Sequence, residues 1–268
     1  MSDWLFWTVF AGYFVSWVLT FAHFESEKEV YFYLGRRLLT LNLFFHAGLL
    51  IALLSRGSGS MALVFEFSVP FIVVLLSFFM EWRYRAKFLI LFSLPIVLLM
   101  SLLVAGQASH TLERAWDRGA WLWVHFGFIL AGLAGFVAAV SSAIMYLWQA
   151  SQLKSKHPGQ NFLKLPSLDT LDKIHFRSLS WGVILFSLGI LTGVIWASGL
   201  RELGSLFRDP KVILSFVTCF MYWVIVSLRG SSLRRGHKIA AGTLVVFLLV
   251  FLTMASSYVA PSVFHRGL

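Results

Sequence analysis

Residues 120–149 read AWLWVHFGFILAGLAGFVAAVSSAIMYLWQ. No Asp, Glu, Lys or Arg interrupts these thirty residues. As a helix rising about 1.5 Å per residue, the run would be roughly 45 Å long, more than the roughly 30 Å of a bilayer's hydrocarbon core. Backbone polar groups in hydrocarbon must find partners within the chain, and an unbroken helix supplies them. The stretch is therefore predicted to span a membrane and to continue past one face of it. One residue stands apart in it. His125 carries an imidazole about five residues into the span, and a polar ring in lipid is costly unless something binds it.

The rest of the chain has the same character. Of 268 residues, 59% are hydrophobic and only 13% charged. A soluble domain would sit nearer half apolar and a quarter charged. Eight apolar runs lie near 4–22, 39–55, 61–81, 86–105, 120–149, 177–198, 211–228 and 239–259. The expected fold is all-α, a polytopic bundle of about eight transmembrane helices in a single integral membrane domain over 1–268, with four N-terminal spans in 1–105 and four more in 120–265. The short alternating segments of a β-barrel do not occur. The first run has no preceding Lys or Arg and no A-x-A cleavage site, so it is expected to be a retained span.

Charge sets the expected orientation. The net charge of +10 does not imply nucleic acid, because the cations sit in short loops between apolar runs. With the N-terminus outside, inner loops hold 15 of the 22 Lys and Arg and outer segments hold 7. That asymmetry favours both termini outside. Several Trp fall near the proposed outer edges, as in an ordinary interfacial belt. Small residues mark close helix packing: Gly182, Gly189 and Gly193 in the sixth run, and Gly132, Gly135, Ala138, Ala139, Ser142 and Ala143 in the fifth.

Depth sorts the eight histidines. His23, His157, His175 and His237 fall at the inner side among Lys and Arg and are expected to be solvated. His46 lies near the middle of the second span, and His110, His125 and His265 at the outer side. Two imidazoles on one haem iron need nitrogens about 4 Å apart, from metal–nitrogen distances near 2 Å. Both His125 with His265 and His125 with His110 satisfy depth. A plain hydrogen bond is the alternative for His125. His46 follows Asn42 by one turn, which fits either an Asn–His hydrogen bond or a second haem or transit ligand at the midplane. Glu66, followed by Pro70, fits a partner for an outer Arg or a polar-ligand contact. The lone Cys219 excludes an internal disulfide, and no Walker loop, dinucleotide fingerprint, HExxH, GxSxG or CxxCH occurs. No catalytic residue is expected.

Longer patterns carry a resemblance. WLWVHFGFILAGLAGFVAAVSSAIMYL, then LDTLDKIHFRSLSWGVILFSLGILTGVIWA, resemble the cytochrome c assembly membrane-protein family, the CcsA and HemX-like proteins, over roughly residues 120–265. The resemblance implies an inner-membrane, multi-pass protein of bacteria that binds haem b non-covalently. It implies His125 and His265 as the iron ligands and His46 as a cofactor-binding residue of an inner site. The loop RELGSLFRDPK keeps Asp209, Pro210 and Lys211 but lacks the tryptophan-rich platform of the CcsA branch, and Ser227 stands where that branch has a histidine. The HemX-like branch is therefore the nearer one, with roles in haem supply, cytochrome maturation or control of tetrapyrrole synthesis. The implied partners are haem, membrane lipid and a membrane or cytosolic protein of haem metabolism. The alternative is a haem-free scaffold that recruits a cytosolic enzyme of tetrapyrrole synthesis through Lys154, Lys156, Lys164 and Lys173. A small-substrate transporter using Glu66 and His46 is a third reading, with no inverted repeat to support it.

Overall fold

The computed structural model describes residues 3–56, 61–86, 88–105, 120–155, 159–199, 208–230 and 236–259. These form eight α-helices: α1 (Asp3–Ser26), α2 (Glu29–Arg56), α3 (Met61–Tyr84), α4 (Leu89–Ala105), α5 (Ala120–Lys154), α6 (Leu168–Gly199), α7 (Pro210–Gly230) and α8 (His237–Val259). Seven are long and apolar enough to cross a membrane, and α4 is a shorter apolar helix. The expected all-α membrane bundle is the observed one. The large apolar side chains left exposed, such as Leu41, Phe44, Trp82, Trp181 and Val245, lie on the helices' outward faces.

The quoted stretch forms the hub. Helix α5 runs 35 residues and packs against α3, α4, α6 and α8. Its neighbours are drawn in because its side chains are small. A Cβ on Gly132 would lie 2.8 Å from the backbone nitrogen of Phe186, and one on Gly135 would lie 2.8 Å from the Cα of Gly182. Backbones this close exclude any larger residue, as in other small-residue membrane seams. Phe136 fills the space beyond, stacked on Tyr222 of α7 with ring centroids 4.1 Å apart. Helices α1 and α2 attach outside this core, through α4 and α3.

Two helices begin earlier than hydropathy suggests. Helix α2 starts ten residues before its apolar run and carries Arg36 inward to Glu81 at 2.5 Å. Glu81 also accepts the Ile90 N–H at 3.1 Å, near the start of α4. Helix α6 starts at Leu168 because Ser167 caps it, its hydroxyl accepting the Thr170 N–H at 3.3 Å. Asp169 in that first turn suits the helix dipole. This polar first turn buries what was expected to be solvated. His175 is 2% exposed and shares a hydrogen bond with the Thr243 hydroxyl of α8 at 2.9 Å. Asp172, one turn before it, forms a two-pronged ion pair with Arg229 of α7. The expectation of a solvated His175 is corrected: helical continuation through charged residues turns it into the bundle. His23 is half-buried and not fully solvated, its Nδ1 bonded to the Lys28 carbonyl at 3.2 Å and its ring stacked on Phe88.

Candidate functional site

Helix α5 presents His125 to the C-terminal end of α6. The ring lies where α6 has no side chain: a Cβ on Gly193 would stand 2.8 Å from both Cε1 and Nδ1. One turn away on α6, the Gly189 carbonyl accepts a hydrogen bond from Nδ1 at 2.6 Å. A carbonyl only accepts, so Nδ1 bears the proton and Nε2 carries the free lone pair. Among the described residues nothing hydrogen-bonds Nε2. Glycine at 189 and 193 therefore does two things at once. It brings α5 close, with Ile129 packed on Gly189, and it seats and orients the imidazole. The sequence marks these glycines as a packing step but does not show which side chain they receive.

The expected partners of His125 lie elsewhere. His110 and His265 are both outside the described residues, as is His157. Glu66 falls within α3, also beyond what is described of side chains there. Among the described residues no three His, Cys, Asp or Glu side chains come together as a metal site.

His46 has different surroundings. It is fully buried, and its Nδ1 shares a 2.9 Å hydrogen bond with the Tyr13 hydroxyl of α1. The Asn–His bond considered from spacing does not form. Asn42 instead donates to the Val9 carbonyl of α1 at 3.1 Å, and its amide occupies the place a side chain on Gly12 would take. Both polar residues of α2 thus bind α1, and Tyr13 is a partner that no local spacing reveals. Nε2, near the Phe67 backbone, has no partner of normal hydrogen-bond geometry. It borders a small cavity between Phe6, Phe10, Pro70 and Ser101, with about 10 Å³ for the centre of a water-sized molecule. That is room for about one water. The residues there suit a hydrogen-bonded interhelical contact.

The four lysines of the docking reading divide as well. Lys164, in the short 3-10 turn Gln160–Lys164, donates to the Phe24 carbonyl at the end of α1 at 2.5 Å and pairs with Glu27 at 2.9 Å. Lys173 pairs with Asp169 one turn away at 2.5 Å. Lys154 is exposed, and Lys156 is outside the described residues. Cys219 bonds the Ser187 hydroxyl at 3.1 Å, which also accepts the Trp223 indole N–H at 3.0 Å. These contacts tie α7 to α6.

The sequence profile of a family described as Cytochrome C assembly protein matches residues 13–265. Protein HemX of Brevibacillus brevis is 26% identical over 252 residues, which cover 94% of this chain and 84% of that protein. The Cytochrome c biogenesis protein CcsA of Synechococcus sp. (strain CC9902) is 24% identical over 173 residues, 56% of this chain and 55% of the relative. Inner membrane protein YpjD of Escherichia coli (strain K12) is 28% identical over 132 residues, 48% of this chain and 49% of the relative. Against CcsA and YpjD, the chain thus spans about half of the relatives' own length. No solved structure matches the chain.

Proposed function

This chain belongs to the cytochrome C assembly protein family, and we propose that it is a multi-pass membrane protein with a haem-related role in cytochrome c biogenesis that binds haem b through His125 near one membrane face. The observation that carries this is the bond from Nδ1 to the Gly189 carbonyl at 2.6 Å. Metal-binding histidines characteristically donate their second nitrogen to a carboxylate or backbone carbonyl, which sets the tautomer and the ring plane. His125 is held in that way, with Nε2 left as the donor atom for iron. Haem asks for one or two axial protein ligands, whereas a structural zinc asks for four and a catalytic zinc for three. A lone oriented imidazole suits the first. His265 is the proposed second ligand.

Bound haem b would supply a redox-active iron and a large apolar face. The chain's own part is to hold the imidazole neutral, fix its orientation from α6 and surround it with apolar side chains. His46, hydrogen-bonded to Tyr13, is left outside the proposal. Of the lysines in the docking alternative, Lys164 is tied to the end of α1, whereas Lys173 stays exposed beside Asp169 and Lys154 is exposed. The name of one relative, Inner membrane protein YpjD, supports the proposed location in a bacterial inner membrane.

The test is a visible spectrum. Protein purified in mild detergent should show a Soret band with the split low-spin bands of a bis-histidine haem on reduction. His125→Ala should remove most of it while the protein stays monodisperse. Wild-type protein that takes up no more haem than an unrelated membrane protein would overturn the proposal.

A further inference from the structure

A second group stands at the depth of His125. Asp209 and Pro210 open α7 in the arrangement that suits a helix start: the Asp209 carboxylate accepts the Lys211 N–H at 2.9 Å, and its carbonyl accepts the Ile213 N–H at 3.1 Å. Lys211 is therefore in the first turn of α7, half-buried. Its depth follows from the pairing of α6 with α7. Ser187 meets Cys219, and the two helices run antiparallel. Eight residues outward from each, about 12 Å at 1.5 Å per residue, lie Ile195 and Lys211. His125 packs on Gly193, only about 3 Å of rise from that level.

The placement is unusual for a lysine. A cation in the first turn of a helix sits at the positive end of the macrodipole, where anions are favoured. Burying its stem at the edge of an apolar bundle adds a desolvation cost. Among the described residues Lys211 makes no ion pair, and its one acidic neighbour, Asp209, is engaged in capping α7 while its other carboxylate oxygen has no partner. An ammonium held at a helix N-terminus, at the depth of an imidazole proposed to hold iron, is suited to an anion carried by the same ligand. Haem b carries two propionate carboxylates at one edge of its ring.

We infer that Lys211 binds a propionate carboxylate of the haem whose iron His125 holds, which makes it the residue that orients the macrocycle and selects acidic tetrapyrroles over neutral ones. This rests on the haem reading of His125. Charge-assisted bonds to carboxylate are among the stronger ones in proteins. The matching probe is haemin dimethyl ester, in which both carboxylates are neutral esters.

The experiment titrates detergent-purified wild type, Lys211→Gln, Lys211→Arg and His125→Ala with haemin and with its dimethyl ester, followed by the Soret band. Wild type should bind haemin about tenfold or more tighter than the ester. Lys211→Gln should keep the low-spin spectrum and bind the two nearly alike, and Lys211→Arg should restore much of the preference. Equal affinity of wild type for both, or an undiminished preference in a folded Lys211→Gln, would overturn the propionate contact while leaving iron ligation by His125 standing. No Soret band in wild type would overturn both. A band that persists in His125→Ala would remove His125 and, with it, the depth argument for Lys211.

Discussion

Replacing Gly193 by Ala separates ligand orientation from fold stability. The added methyl would stand 2.8 Å from Cε1 and Nδ1 of His125. Ordinary contacts between such atoms are about 3.5–4.0 Å, so the ring must move by about 1 Å. A 2.6 Å bond from Nδ1 to Gly189 does not survive that shift with good geometry. Losing it costs about 1 kcal/mol of stability. Against that, alanine is favoured over glycine in a helix by about 1 kcal/mol, so the melting temperature should change little. Haem affinity responds differently, because losing the group that orients a metal-ligating histidine typically costs about 10- to 100-fold. Gly127 is the control, since a Cβ there meets nothing within 4 Å. The assay pairs a haemin titration with a thermal melt in the same detergent. Gly193→Ala should lose at least tenfold in haem affinity at near wild-type stability, and Gly127→Ala should lose nothing. Wild-type affinity in Gly193→Ala, or a loss matched by an equal loss of folded protein, would refute the reasoning.

Two further outcomes follow from the buried polar contacts. Tyr13→Phe leaves a His46 nitrogen unpaired and should destabilise the bundle by about 1–3 kcal/mol without altering the visible spectrum of bound haem; a shifted Soret band would instead make His46 a haem ligand. Arg229→Gln strands the Asp172 carboxylate, whose side chain is 24% exposed, and should cost about 3 kcal/mol. Adding Asp172→Asn should recover much of that loss, and simple additivity in denaturation of the double variant would argue against a coupled pair.

Much of this protein was legible in its residues taken in order. Thirty uncharged residues around His125 can only be a helix in lipid, and seven more apolar runs repeat the logic. Hydropathy is a local property, so it survives without knowledge of neighbours. It fails at helix ends, where capping and not apolarity decides. Ser167 starts α6 nine residues before the apolar run, and this is why His175 is buried when its basic neighbours suggested otherwise. Spacing along one helix also misled for Asn42 and His46, because both side chains find partners on α1 and not on each other.

The sequence alone therefore determined the membrane bundle, the seam of small residues and His125 as its exceptional side chain. Only the tertiary structure decided what each histidine touches. A hydrogen bond between helices depends on their register and separation, which are set by backbones meeting across glycines. That is how Gly189 and Gly193 came to orient His125, how α7 brought Lys211 to the same depth, and how Tyr13 closed His46 into a space the size of a water molecule.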